Sequence, residues 1–463
     1  MLGLDLWKKT LVLTLVVALA VPASASELLY EFSRPEAVTN PELPSQQESP
    51  KAVWYDDSVH LFWSSSGMDG TVGDYDIMHN IFDGDSWSGL EYLTPEDEGY
   101  DSTPLPVVYD GRIFVFWSTD DSGISNGSDN DIVYRAYNGQ GWTDAEDLTS
   151  DFNDKGDYNP CVAVYYNKLY LFFEWYSGNS GYYELAYLTF DGDFWEGPVM
   201  VTSNSMGSNV NPSASALDTG LVLVWETYDP VWGAGTGNST IVSRVLVDST
   251  WGPVSSISGT GGHNSRPTTV FYGDWVLAFW SSNSSQLSGG GDFDIVFRWF
   301  GGTSWNDEVA ELSSGDTGTD TNPSAIVHKD EIYVSWISDD ANRTTGVDTD
   351  VLVRKFDGWN WSVVKEISPD GEDRYDGGGV IQDVPGMVST PNFLYIFWET
   401  NVNPSIQATE TPSWILMVSY GKKTRGDEGL LEWILALAAI IVIVSLAGAM
   451  LLKGRKSRKH GDN

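Results

Sequence analysis

Seven prolines, Pro50, Pro104, Pro160, Pro212, Pro267, Pro323 and Pro385, each stand thirteen residues before an aromatic: Trp63, Trp117, Phe173, Trp225, Trp280, Trp336 and Trp398. Successive prolines are separated by 54, 56, 52, 55, 56 and 62 residues, a period that marks propellers and solenoids. Between each proline and its aromatic lies a β-branched and aromatic run, such as SVHLFW, RIFVFW, KLYLFF or EIYVSW, preceded by a turn signal. Little room is left for helices. The repeat therefore predicts an all-β chain in which each unit is one sheet that buries its faces against its neighbours.

A second register runs through the same units. Asp76, Asp131, Glu184, Thr240, Asp294 and Asp350 lie eleven residues before Trp87, Trp142, Trp195, Trp251, Trp305 and Trp361. These residues open a third strand, and the tryptophans open a fourth. The seventh unit has FLYIFW from Phe393 and WILMVSY from Trp414 but no fourth strand. FSRPEAVT, Phe32 to Thr39, aligns without a gap with WTDAEDLT from Trp142, so the N-terminal segment should supply it. The expected fold is a seven-bladed β-propeller, residues 26–422, closed by an N-terminal strand. Such closure removes free sheet edges.

The ends of the chain read as targeting and anchoring segments. Residues 1–25 have Lys8 and Lys9, an apolar run from Leu11 to Ala20, and Ala23-Ser24-Ala25 as a cleavage site, the pattern of a signal peptide. A juxtamembrane linker, 423–432, precedes an uncharged transmembrane helix, 433–452, and a basic cytoplasmic tail, 453–463. The expected location is the cell membrane, single-pass, with the propeller extracytoplasmic.

Composition sets the environment. Without the signal and the tail the chain has 63 acidic against 18 basic residues, which suits a salty or cation-rich exterior and excludes nonspecific binding of nucleic acid or anionic lipid headgroups. The single cysteine, Cys161, excludes internal disulfides. Stability must then come from packed sheets. Burying one tryptophan, some 150 to 250 Å², contributes roughly 4 to 6 kcal/mol before entropy, so most of the 21 tryptophans should be core. Five sequons, at Asn126, Asn238, Asn283, Asn342 and Asn360, are candidate glycosylation sites.

DIMHNIFDGDSW, ELAYLTFDGDFW and DVLVRKFDGWNW resemble the Asp-box repeats of sialidase-like propellers. The resemblance covers residues 27 to 422, with two departures: Asp83, Asp191 and Asp357 directly precede their glycines, and seven blades are counted where sialidases have six. It implies that the boxes are fold elements at strand-three-to-four turns. Sialidase chemistry, as the resemblance implies it, needs an arginine triad, a tyrosine activated by a glutamate, and an acid. Arg266-Pro267 resembles the first arginine of the Arg-Ile-Pro motif without its middle residue. Arg135, Arg244, Arg298 and Arg354 occupy one repeated blade position, which reads as structural pairing rather than a triad.

Glycoside hydrolysis in general requires two facing carboxylates. The residues after the blade prolines are Lys51, Leu105, Cys161, Ser213, Thr268, Ser324 and Gly386, so the expected channel is small and neutral, which argues against an enzyme. No zinc spacing or phosphate loop is present. Two features remain on the face made by the strand-two-to-three and blade-to-blade loops. One is a repeated Asp-X-Asp, at Asp74 and Asp76, Asp129 and Asp131, Asp292 and Asp294, and Asp348 and Asp350. These pairs either offer oxygens to Ca²⁺ or cap turns and pair with the repeated arginines. The other is a set of loop aromatics among acids and amides, Tyr100, Tyr158, Trp175, Tyr176, Tyr228, Trp232 and Tyr375, suited to stacking on sugars or to loop packing. With Arg266 they form the candidate ligand set. The sequence thus points to recognition or scaffolding at the cell surface, with a glycan or a surface protein as partner. The alternative is a sialidase-like exo-glycosidase.

Overall fold

The computed structural model describes residues 30–39, 45–66, 75–94, 99–125, 129–150, 155–233, 237–259, 261–287, 291–313, 318–340, 349–368, 384–401 and 413–422. The chain divides into two units. In the smaller, Met1–Phe32 with Tyr420–Asn463, the described residues form one antiparallel pair, Tyr30–Phe32 against Tyr420–Lys422. The larger unit, Ser33–Ser419, is a seven-bladed β-propeller.

Its seven sheets are antiparallel and follow chain order. Blade 1 comprises Gln47–Tyr55, Ser58–Ser66, Tyr75–Phe82 and Glu91–Tyr92, and blades 2 to 6 repeat this plan. In blade 7, the inner strands Gly386–Ser389 and Phe393–Asn401 lead to the strand beginning at Ser413. The N-terminal segment pairs there, Glu36 opposite Met417 and Ala37 opposite Leu416. The closing strand is thus where the alignment of FSRPEAVT with WTDAEDLT placed it. The fourth strands are shorter than the sequence suggested. In blades 1, 2, 5 and 6 the tryptophan makes an isolated bridge to the end of strand three, and a two-residue strand follows.

The proline register has a local cause. In blades 1 to 6 the pairing of strand one with strand two slips by one residue, for example between Glu48 and Lys51. The residue before each proline adopts a left-handed conformation: Ser49, Thr103, Asn159, Asn211, Arg266 and Asn322, with φ between 50 and 57°. Proline has no N–H to give to a ladder, so an inner strand tolerates it only at such a bulge. Thirteen residues later the landmark aromatic lies buried between blades. Trp63, Trp117, Phe173, Trp280 and Trp336 are 0% exposed, Trp225 and Trp398 1%. Four of the indole N–H groups donate to a residue sixteen positions upstream: Gln47 (2.5 Å), Asp101 (2.9 Å), Asn209 (2.9 Å) and Asn264 (3.2 Å) from Trp63, Trp117, Trp225 and Trp280.

Two further columns hold the blades together. A hydroxyl just past strand four accepts an N–H near the start of strand three in every blade: Thr94 from Ile77, Thr149 from Ile132, Thr202 from Leu185, Ser258 from Ile241, Ser313 from Ile295, Ser368 from Val351 and Thr39 from Ile415. The repeated arginines grip backbone carbonyls of the preceding blade: Arg135 that of Leu93, Arg244 that of Val201 (2.5 Å), Arg298 that of Ile257 (3.0 Å) and Arg354 that of Leu312 (2.5 Å). This corrects the expected pairing with aspartates, although the position is structural as anticipated. A planar fork with five donors can give to carbonyls on two different strands at once. At the strand-three-to-four turns, Asp83, Asp191 and Asp357 each accept two backbone N–H groups, from residues two and three further on. The boxes are fold elements, as the resemblance implied.

Candidate functional site at the channel mouth

The bulges converge on one end of the central channel. There Ser49, Thr103, Asn159, Asn211 and Arg266, with Lys51, Cys161 and the inner-strand residues around them, line a cavity of about 360 Å³. A left-handed non-glycine residue costs roughly 1 to 2 kcal/mol, less for asparagine, so the threonine and the arginine are the costly members of this ring.

Buried carboxylates hold the ring at blades 3 to 5. Glu174 and Glu226 directly follow the landmark aromatics Phe173 and Trp225, and they are 4% and 2% exposed. Glu174 Oε1 accepts the backbone N–H of Asn211 (2.7 Å) and the Asn159 amide (2.7 Å). Glu226 Oε2 accepts the backbone N–H of Arg266 (3.1 Å) and the Asn211 amide (3.0 Å). Each glutamate thus clamps the bulge of the next blade. Burial pushes the Glu174 carboxyl up to about 7, with the Glu226 charge acting the same way against the two hydrogen bonds. Burial and the Glu226 carboxylate also raise the Tyr228 hydroxyl above its usual range.

The mouth corrects the expectation of a neutral channel. Lys51 and Arg266 line the cavity, and glutamates stand behind its wall. Among the described residues no Asp or Glu side chain lines it. Burial pushes the Cys161 thiol up to about 12, which disfavours the thiolate.

The aromatic set divides. Tyr158 stacks edge-on against Tyr183, and Tyr183 against Tyr176. This three-ring chain adjoins Asn159 and includes Tyr183, which the sequence reading did not single out. Tyr100 and Tyr228 are each 38% exposed; Tyr100 tilts on Tyr75 and Tyr228 on His263. Trp175 and Trp232 are half-buried, each with one side packed against a core cluster, between blades 2 and 3 and between blades 3 and 4 respectively. Tyr375 lies outside the described residues.

The Asp-X-Asp pairs do not share one centre, since they belong to blades 1, 2, 5 and 6. Asp76, Asp131, Asp294 and Asp350 are buried. Asp131 accepts from Thr149 Oγ1 (3.2 Å) and Asp350 from Ser368 Oγ (3.0 Å), joining the hydroxyl column. Burial, with Asp147 and Asp129 nearby, raises Asp131 to about 7. Asp129 and Asp292 are half-buried, while Asp74 and Asp348 lie outside the described residues. Among the described residues no three His, Cys, Asp or Glu side chains gather as metal ligands. Of the sequons, Asn360 is exposed and Asn238 and Asn283 are half-buried, Asn283 accepting from the His263 N–H at 2.6 Å. Asn126 and Asn342 lie outside the described residues, as do the signal and the predicted membrane segment. No helix among the described residues is long and apolar enough to cross a membrane.

One cluster escaped the sequence reading. His60 Nδ1 meets His79 Nε2 at 3.0 Å, and His79 Nδ1 meets Glu91 Oε2 at 2.9 Å. Their alternate positions on adjacent strands give no metal-like spacing, and only strand pairing brings them together.

The strand order and the mouth define the class of this protein, a seven-bladed β-propeller with a polar, glutamate-buttressed channel mouth. The chain matches no known protein-family profile and no curated protein. Among solved structures it is similar to an α-L-arabinanase from Penicillium chrysogenum complexed with arabinobiose, at 14% identity and a TM-score of 0.44 over 67% of this chain and 94% of that one. It is also similar to the Trypanosoma rangeli sialidase in complex with sialic acid, at 12% identity and a TM-score of 0.43, over 87% of this chain and 62% of that one. A thermostable family-43 glycoside hydrolase follows at 11% identity and a TM-score of 0.37, over 60% and 97%. The blade count and the site rest on the strand pairing and side chains of this chain.

Proposed function

We propose that this chain is a cell-surface recognition propeller that holds a glycan at the channel mouth, over blades 3 to 5. In this reading residues 1–25 direct export and residues 433–452 anchor the chain, leaving the propeller outside. The observation that carries it is the clamped ring. Glu174 and Glu226 are buried, Glu174 at a cost to stability, and each holds the backbone N–H of a left-handed bulge residue, Asn211 and Arg266. Left-handed backbone held by buried hydrogen bonds is characteristic of sites that present side chains in a set orientation. Here the presented groups are two amides and a guanidinium, with the rings of Tyr158 and Tyr228 beside them, a combination that takes sugar hydroxyls and a sugar face.

The test is a glycan array probed with the detergent-solubilised full chain at several salt and Ca²⁺ concentrations. Binding that Arg266→Ala and Asn211→Ala each abolish is the expected result, and an array blank under every condition refutes the reading. Glycoside hydrolysis stands second, because the two carboxylates it needs are missing from the cavity lining among the described residues. A fluorogenic glycoside panel should stay silent. Turnover lost in Arg266→Ala would put the hydrolase first.

A further inference from the structure

At the outer rim, away from the mouth, blades 4 and 5 depart from the repeat. At four other junctions the strand-four tryptophan of one blade packs against two rings of the blade before it. Trp142 meets Phe62 and His79, and Trp195 meets Phe116 and Tyr134. Trp251 meets Phe172 and Tyr187, and Trp361 meets Phe279 and Phe297. Blade 4 offers Val224 and Ser243 at these positions. With neither ring present, Trp305 donates its indole N–H to Ser243 Oγ at 2.9 Å, and a groove of about 610 Å³ opens between the blades.

The chemistry of the groove runs against that of the protein. In a chain of formal net charge −40, it is lined by Arg244 and Arg298 and, among the described residues, by no Asp or Glu side chain, with the indoles of Trp251 and Trp305 along it; the one carboxylate whose charge acts on Arg298, Asp307, is not part of the lining. Arg298 is also the under-bonded member of its column. Arg135, Arg244 and Arg354 each give Nε to a carbonyl of their own fourth strand, those of Thr143, Gly252 and Ser362. Arg298 Nε has no hydrogen-bond partner, and neither does Trp251 Nε1. A half-buried guanidinium with one carbonyl bond retains donors for an anion, and flanking indoles favour a flat apolar face.

We infer that the blade 4–5 groove is a second binding site, for a sugar bearing a carboxylate, with the sugar ring against the tryptophans and the carboxylate on Arg298. It is independent of the reading of the mouth. The test is calorimetric titration of the detergent-solubilised full chain with D-glucuronate, with D-glucose as the neutral control. Glucuronate should bind and glucose should not. Arg298→Gln should raise Kd about tenfold or more, as loss of a charge-assisted hydrogen bond implies. Ser243→Phe, which restores the ring that blade 5 has in Phe297, should abolish binding. Absence of glucuronate binding, equal binding of glucose, or full binding by both variants overturns the inference. So does loss of binding in Arg266→Ala alone, which would put the ligand at the mouth.

Discussion

Glu174→Gln separates two contributions that the structure superimposes, the hydrogen bonds of the clamp and the charge of its carboxylate. Both bonds, from the Asn211 N–H and the Asn159 amide, go to Oε1, and a glutamine Oε1 can accept both, so the substitution removes the charge and keeps the acceptor. The folded carboxyl titrates at about 7 against an ordinary 4.5. A raised carboxylate pKa means that the folded state favours the proton. Above pH 7 the ionised group therefore costs roughly 3 kcal/mol, and below pH 4.5 it costs nothing, because folded and unfolded chains both hold the proton. Glu174→Gln should then stabilise the propeller by roughly 2 to 3 kcal/mol at pH 8 and by almost nothing at pH 4.5. Denaturant midpoints at constant slope are the suitable measure, since in a domain of this size 1 kcal/mol moves Tm by only about 1 °C. The same gain at both pH values would show that the effect is not electrostatic. A loss at both would show that the clamp needs a carboxylate.

Two further outcomes follow, one from the hydroxyl column and one from the histidine cluster. Thr149→Val deletes a hydroxyl that accepts the Ile132 N–H and donates to Asp131; with both partners left buried it should cost about 2 to 4 kcal/mol, read from urea unfolding, and a cost under 0.5 kcal/mol would mean that water takes over. Burial, and next the neighbouring His79, hold His60 down to about 4 from an ordinary 6.5. The folded state therefore favours neutral His60, whose contribution is complete above pH 6.5 and is lost as pH falls toward 4. In His60→Phe the loss of stability between those limits should shrink by about 2 to 3 kcal/mol relative to the parent chain, and an unchanged pH profile would exclude His60 as its source.

The fold was legible because a propeller repeats its local instructions. Proline at the bulge, an aromatic thirteen residues later and a threonine or serine closing strand four recur often enough that Phe32 to Thr39 could be assigned to blade 7 by alignment alone. The mouth was far less legible. The channel was read from residues after the prolines alone, whereas its mouth is also lined by the residues before them; the proline marks the bulge but not where the residue before it is aimed. The clamping glutamates do leave a mark: the position after the landmark aromatic holds Glu174, Glu226 and Glu399, against Ser64, Ser118 and Ser281 in three other blades and Ile337 in blade 6. A carboxylate where other blades keep a serine marks the blades that differ. The repeated arginines misled in the opposite way, because a cation in an acidic chain suggests a carboxylate partner, while inter-blade geometry supplied carbonyls.

Closure of the ring also determines how it yields to force. Ser33 N–H donates to the Ser419 carbonyl at 2.7 Å, and the pairing runs inward from there to Glu36 with Met417 and Ala37 with Leu416. A pull between Ser33 and Ser419 acts on one end of this antiparallel pair, so its bonds load one after another, as in a zipper, rather than together in shear. Blade 7 is thus the seam at which tension opens the propeller. Once the seam parts, the strand from Ser413 presents a bare edge, ready to pair with any extended segment within reach.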